Sequence, residues 1–200
     1  VYFEFYCIVL NKNTSGMKKY VLIVLMCLPL WGMSQSTVEW TVFGKAGVDI
    51  RSQMISFGGT ALEWHPKDGK LGLNYSLRFG HSENNNFIFQ CPVSAVTSIF
   101  AIALLADDGW DASILALLCL IPEGLSYDIP CGEDLWVSPY VNPLLVEFSS
   151  NGGALLGEVG ARIKVPIRNR FFASADFSMQ SSYGDWKINT LMGISMGFRF

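Results

Sequence analysis

Apolar and polar residues alternate along the stretch "DWKINTLMGISMGFRF" (residues 185–200). A period of two is typical of a β-strand, because successive side chains of a strand point to opposite faces. A strand of a water-soluble protein has about 5–6 residues, whereas a tilted strand that crosses a bilayer needs roughly 9–11. This stretch is long enough to cross, and its second face carries charge. It therefore predicts a transmembrane strand with lipid on one side and a polar lumen on the other.

The same alternation recurs along the chain and predicts further strands. With the less regular segments included, the count reaches eight, the smallest even number found among single-chain bacterial barrels. The sequence therefore predicts an all-β fold, an antiparallel transmembrane β-barrel of about eight strands. Besides the terminal stretch, the predicted strands are 38–51, 58–64, 70–80, 124–130, 134–148, 154–166 and 170–180.

The polar faces of these strands carry charges of both signs. Charges kept away from lipid persist when they pair or are hydrated inside the lumen, and eight strands enclose a space that side chains just fill. We therefore expect a lumen plugged by ion pairs and hydrogen bonds. The predicted network consists of Glu39, Lys45, Asp49, Arg51, Arg78, Glu158, Arg162, Lys164, Asp176 and Arg199.

Residues 87–121 break the alternation, because they are apolar nearly throughout. Pro92 suits the first turn of a helix, and Asp107 to Gly109 would end that helix before Asp111 caps a second one. Each half is shorter than the roughly 20 residues that span a bilayer. We expect a short apolar helical hairpin between the third and fourth strands, at the outer end of the barrel. An additional strand pair, giving ten strands, and a single broken helix that plugs the barrel mouth are the alternatives.

A hairpin in this insertion would bring two cysteines close together at its open end. We expect Cys91 and Cys119 to form a disulfide there, since an exported protein folds in an oxidising compartment. Cys131 would lie at the opposite end of the barrel.

The N-terminal part of the sequence has the form of an export signal. A short basic start (residues 17–19) precedes an apolar run (20–31) and small residues at a cleavage site, which are the three parts of a secretory signal peptide. The expected organisation is an upstream extension at 1–16, a signal peptide at 17–34 and a barrel domain at 35–200.

Overall charge and composition exclude several kinds of partner. The formal net charge is −3, with 14 basic and 17 acidic residues, so there is no electrostatic reason to expect nucleic acid. The chain has two histidines, and its cysteines show no zinc-site spacing. We expect no metal and no cofactor.

One short segment, "GHSENNN", holds the residue types of a hydrolase. His81, Ser82 and Glu83 could supply a base, a nucleophile and an orienting acid. Consecutive strand residues point to opposite faces, however, so His81 and Ser82 could meet only across a loop bend. We expect a protein that is not an enzyme. A lipid-modifying hydrolase and a soluble secreted barrel that binds a small apolar ligand are the alternatives.

The export signal, the alternating strands and the closing Phe200 resemble small bacterial outer-membrane β-barrels of the OmpA-like or OmpX-like kind. The resemblance implies a place in the outer membrane of a Gram-negative envelope and contact with its lipid. It also implies that barrel-assembly machinery recognises Phe198 and Phe200. It implies no catalytic residue, so we expect a structural or surface-interaction role, with a ligand or protein at the outer loops as the candidate partner.

Overall fold

A single antiparallel sheet contains nearly all of the residues that the computed structural model describes. These residues are 36–49, 53–83, 86–97, 121–150, 152–168, 170–184 and 188–200. The strands within them are β1 (Thr37–Asp49), β2 (Met54–His65), β3 (Leu71–Ser82), β4 (Phe87–Pro92), β5 (Gly124–Tyr127), β6 (Ile129–Pro130), β7 (Trp136–Ser149), β8 (Gly152–Arg168), β9 (Phe171–Ser182) and β10 (Ile188–Arg199). A 3₁₀ turn (Pro66–Asp68) links β2 to β3, and residues 93–97 are helical.

The sheet closes into a barrel because its first and last strands pair. β1 pairs with β10 from Glu39 opposite Arg199 to Asp49 opposite Asn189, and with β2 along its other edge. β4 and β5 share one place in the wall, since both pair with β3 on one side and β7 on the other. The wall therefore has eight places, which confirms the predicted fold.

The polar face of the strands points into the barrel and the apolar face points outward, as predicted. On β9, Asp176 and Gln180 are buried inside the barrel, whereas Phe171, Phe177 and Met179 on the outer face are 49%, 46% and 43% exposed. A water-soluble protein buries such apolar side chains and exposes its charges. The arrangement is the one expected of a barrel that meets lipid on its outside.

The barrel has two ends that are named here by the chain termini. Thr37 and Arg199 lie at the terminal end, together with the links 66–70 and 131–135 and with Arg170. The opposite end is called the far end.

The second strand extends further than its predicted range of 58–64. It begins at Met54, so that Ile55 and Phe57 also belong to the wall and are buried on its inner face. The prediction was wrong at this boundary because two inward residues are apolar, and the alternation of polar and apolar positions disappears there.

β4 and β5 keep one register along β3 through the place that they share in the wall. Arg78 of β3 faces Gln90, and Asn74, four residues before Arg78, faces Gly124. In a continuous strand the residue four places after Gln90, residue 94, would face Asn74. Along β3, β5 therefore resumes the register of β4 after a gap of 30 residues (93–122), whereas along β7 the partners shift by one residue at the bulge between Asn142 and Leu145.

This gap lies in the middle of the wall and not at a barrel end. Residues 87–92, which were predicted as part of the insertion, form β4, and their alternation is hidden because the inward Ile88 is apolar. The helical residues 93–97 directly follow Pro92. Residues 98–120 lie outside the described part of the chain, so the hairpin and its two alternatives stay predictions. No helix among the described residues is long and apolar enough to cross a membrane.

Candidate functional site

The terminal end of the lumen is filled by a group of charges that we call the terminal charge cluster. Its centre is the buried ammonium of Lys164, whose Nζ lies 2.8 Å from Glu39 Oε2, 3.0 Å from Glu63 Oε2 and 3.1 Å from Asp128 Oδ1. A buried cation persists in such a place because several carboxylates replace its hydration shell. The cluster consists of Glu39, Glu63, His65, Asp128, Lys164 and Arg199.

Two arginines and two serines complete the bonding of these carboxylates. Arg199 donates to Glu39 from Nε at 2.9 Å. Arg162 bonds Glu63 at 2.9 Å and reaches Asp176, 3.6 Å away, so it joins this cluster to the next layer of the lumen. The hydroxyls of Ser126 and Ser138 donate to Glu63 and Asp128.

A second group, the central charge cluster, lies deeper in the barrel. Lys45 Nζ is 2.7 Å from Asp176 and 3.0 Å from Glu158, and Arg78 Nη2 is 2.6 Å from the other oxygen of Glu158. The Tyr140 hydroxyl donates to Asp176 at 3.0 Å. The cluster consists of Lys45, Arg78, Glu123, Tyr140, Glu158 and Asp176.

Glu123 closes the wall where the insertion returns to it. Its carboxylate accepts a hydrogen bond from the backbone nitrogen of Ser76 at 2.8 Å and from the Ser76 hydroxyl at 2.9 Å, and it lies 3.4 Å from Arg78. Its own nitrogen donates to the Asn74 carbonyl. A side chain thus takes the place of the strand backbone that the insertion removes from the ladder.

The far end of the lumen is apolar, which the sequence analysis missed. Gln90 and Gln180 exchange amide hydrogen bonds of 3.2 and 3.1 Å across the lumen. Beyond them a buried cluster of large side chains fills the interior, formed by Ile55, Phe57, Ile88 and Leu191. Each of these residues interrupts a polar face, so period-two alternation alone could not have revealed the cluster.

Little open space remains between these layers. A cavity of about 30 Å³ is lined by residues that include Lys45, Arg78, Glu123 and Tyr140. Such a volume holds a few water molecules. The central part of the lumen is therefore a plug with room for water but not for a solute.

The structure brings together nearly all of the charges predicted to form the network. Asp49 lies at the far end instead, where its Oδ1 accepts a hydrogen bond from the Gln53 backbone, and Arg51 lies outside the described residues. The prediction missed Glu63, His65, Glu123 and Asp128. Glu63 and His65 could have been found by continuing the alternation, because they share the inner face with the other charges.

The candidate hydrolase residues do not converge. The ring of His81 is exposed and packs against Phe87, with centroids 5.6 Å apart, while Glu83 accepts a hydrogen bond from the Met54 nitrogen. Ser82, next to His81 on β3, points to the other face. No interaction joins the three side chains as a triad in the described structure.

The predicted disulfide falls partly outside the described residues. Cys91 is buried and Cys131 is exposed near the terminal end, and neither forms a disulfide with another described residue. Cys119 belongs to the part that is not described, so its pairing with Cys91 stays a prediction.

One trio in the terminal charge cluster has a spacing that a metal ion could use. Possible ligand atoms of Glu39, Glu63 and His65 lie within 4.8 Å of one another. The ammonium of Lys164 already lies 2.8 and 3.0 Å from these two carboxylates, so the trio is part of an ion-pair network.

Comparison with known proteins places this architecture. No protein-family profile and no curated protein sequence matches the chain. Among solved structures, the N-terminal β-barrel domain of Pseudomonas aeruginosa OprF superposes with a TM-score of 0.51 at 14% identity, covering 82% of this chain and 97% of that one. The chain has the fold of a small outer-membrane β-barrel.

Two further outer-membrane barrels are similar at lower TM-scores of 0.47. Ail, the attachment invasion locus protein of Yersinia pestis, is 9% identical and covers 83% of this chain and 99% of its own. The outer membrane enzyme PagL is 11% identical, and the match covers 79% of this chain and 98% of PagL. These likenesses do not identify a function.

The described part of the wall is irregular between Asn142 and Leu145 of β7 and again between Pro166 and Arg168 of β8. A bulge between Asn142 and Leu145 leaves the carbonyl of Pro143 outside the ladder of β7. The hydroxyl of Tyr183 donates to this carbonyl at 3.1 Å, and the ring lies over Gly157, where a Cβ would meet the hydroxyl oxygen at 3.0 Å. Lipid offers no alternative hydrogen-bond donor, so the Tyr183 hydroxyl satisfies the carbonyl that the bulge leaves without a backbone partner.

Replacing Tyr183 with phenylalanine is expected to lower the free energy of unfolding by about 1–3 kcal/mol, because a carbonyl facing lipid loses its donor. Urea unfolding of the refolded barrel in lipid vesicles measures the effect. Tyr127→Phe, which removes an exposed hydroxyl from the same wall, is the control. Equal losses in the two variants would contradict the role given to Tyr183.

Proposed function

We propose that this protein is a closed outer-membrane β-barrel with a structural or surface-interaction role, and that it is neither a pore nor an enzyme. The observation that carries the proposal is the filling of the lumen by the two charge clusters and, beyond them, by buried apolar side chains. A barrel without a channel acts through its outer surface and its loops.

The exterior supports a place in the outer membrane. Large apolar side chains are exposed around the wall, as lipid requires. Phe200 is 68% exposed, and its ring packs at 4.8 Å against that of Phe198, so both rings are available to barrel-assembly machinery. In this proposal the terminal end faces the periplasm.

A planar-bilayer recording tests the absence of a channel. We expect the purified, refolded protein to show no steady single-channel conductance. The folded fraction, followed by gel mobility without boiling, serves as the control that the silent protein is inserted as a barrel. Reproducible conductance steps from the folded fraction would contradict the proposal.

We assign the interaction role to the inserted segment and expect the barrel to fold without it. Deleting residues 93–122 joins Pro92 to Glu123 in the register that β4 and β5 already share along β3, and the existing bulge of β7 between Asn142 and Leu145 accommodates the other edge. The variant should therefore keep the same shift in gel mobility on boiling as the full chain.

A matched control distinguishes this register argument from general tolerance to deletion. Deleting residues 93–121 leaves one extra residue in the wall, and a one-residue slip turns side chains to the wrong face. This second variant should fold poorly. Equal folding of the two deletions, or failure of the first, would contradict the assignment of a register-neutral insertion.

A further inference from the structure

His65 presents both of its ring nitrogens to oxygen acceptors. Nδ1 lies 3.2 Å from the carbonyl oxygen of Gly69. Nε2 faces carboxylate oxygens of Glu63 at 3.4 Å, Asp128 at 3.9 Å and Glu39 at 4.0 Å. The residue is only 4% exposed, and its Nε2 has no hydrogen-bond partner among the described atoms.

A neutral imidazole cannot satisfy these surroundings. It carries a single proton, so one nitrogen always presents a lone pair. If Nδ1 donates to Gly69, the lone pair of Nε2 points at three carboxylates. The doubly protonated ring donates from both sides, and its charge is attracted by the same carboxylates.

The charges of the lumen give an independent reason for a second proton. Among the described residues, the ion-pair network holds one more carboxylate than it holds lysines and arginines, and one proton on His65 balances it. The carboxylates are Glu39, Glu63, Glu123, Asp128, Glu158 and Asp176, and the cations are Lys45, Arg78, Arg162, Lys164 and Arg199.

The neighbouring cations do not remove this need. Lys164 repels a proton on His65, but its ammonium is shared among three carboxylates. Arg162 bonds Oε2 of Glu63 and Arg199 bonds Oε1 of Glu39, which in each case is not the carboxylate oxygen that faces His65. A divalent metal in the same place would be repelled by the Lys164 ammonium. Its two positive charges would also exceed the single positive charge that the network lacks.

Water reaches the site from the terminal end. A cavity of about 350 Å³ opens there and is lined by residues that include Glu39, His65, Lys70, Asp128 and Arg199. Protons can therefore exchange with His65 without unfolding of the barrel.

We propose that His65 is a proton-binding site that completes the charge balance of the ion-pair network and makes the stability of the terminal end of the lumen depend on pH. With the proton bound, the ion-pair network is neutral. When the proton leaves, one carboxylate charge is uncompensated inside the barrel. The inference concerns the lumen and does not depend on the interaction role proposed for the insertion.

Nitrogen NMR of histidine-labelled protein in detergent micelles tests the proposal. The chain has two histidines, so His81→Gln leaves His65 as the only signal. At about pH 8, where a histidine in water is mostly neutral, we expect both ring nitrogens of His65 to remain protonated. Signals of a neutral ring at this pH in the folded barrel would overturn the proposal. So would a shift of those signals by added zinc that a chelator reverses.

The effect on stability provides a second readout. The bound proton stabilises the folded state at low pH, and this contribution is lost as rising pH removes the proton. Between about pH 6 and 9, the melting temperature of the native protein and of His81→Gln should fall. His65→Gln should be nearly flat over the same range. Parallel curves for all three proteins would overturn the proposal.

Discussion

Replacing Lys164 with methionine is expected to lower the free energy of unfolding by about 3–5 kcal/mol, because the change removes the charge at the centre of a buried network. The ammonium contacts carboxylates from three different parts of the chain, Glu39, Glu63 and Asp128. Methionine keeps most of the apolar volume of the lysine side chain. The decrease in the free energy of unfolding therefore measures the removal of the charge and not the creation of a cavity.

Urea unfolding in lipid vesicles, followed by tryptophan fluorescence, measures this loss. Lys70→Met is the matched control, since Lys70 is exposed at the same end of the barrel. An exposed lysine contributes about 0–1 kcal/mol through its ion pairs. If Lys164→Met were no more destabilising than Lys70→Met, the buried ammonium would not hold the lumen together.

Replacing Glu123 with alanine is expected to destabilise the barrel by roughly 3 kcal/mol, because a buried backbone N–H and a buried guanidinium both lose an acceptor. The groups concerned are the Ser76 nitrogen, at 2.8 Å, and Arg78, at 3.4 Å. The damage should concentrate at the gap that the insertion makes between β3 and β7.

Hydrogen exchange locates this damage. The amide of Ser76 should exchange far faster in Glu123→Ala, while amides of β10 on the opposite wall keep their protection. Glu123→Gln is the control, because its amide oxygen can still accept from Ser76 although the charge is lost. Unchanged exchange at Ser76 in the alanine variant would contradict the closure of the wall by a side chain.

Period-two alternation was sufficient to predict the barrel and the facing of most of its residues. It worked where outward positions are apolar and inward positions polar, as along β1, β3, β8, β9 and β10. It failed at Ile55, Phe57 and Ile88, because these residues are apolar on the inner face. A local pattern cannot distinguish lipid from an apolar lumen, since both favour the same side chains.

The partners of the buried charges could not be read from the sequence. Lys164 and Glu39 are distant in sequence, and they meet only because the barrel closes between β1 and β10. Glu123 and Asp128 were missed for another reason. They border the interrupted strand, where there is no regular alternation to assign them to a face.

The most direct test of the account is the gel mobility of the protein from fractionated cell envelopes, with and without boiling. A closed barrel resists detergent until it is heated, so the account predicts two different mobilities, both in the outer-membrane fraction. A single mobility in the soluble fraction would contradict the membrane barrel, and with it the proposed function.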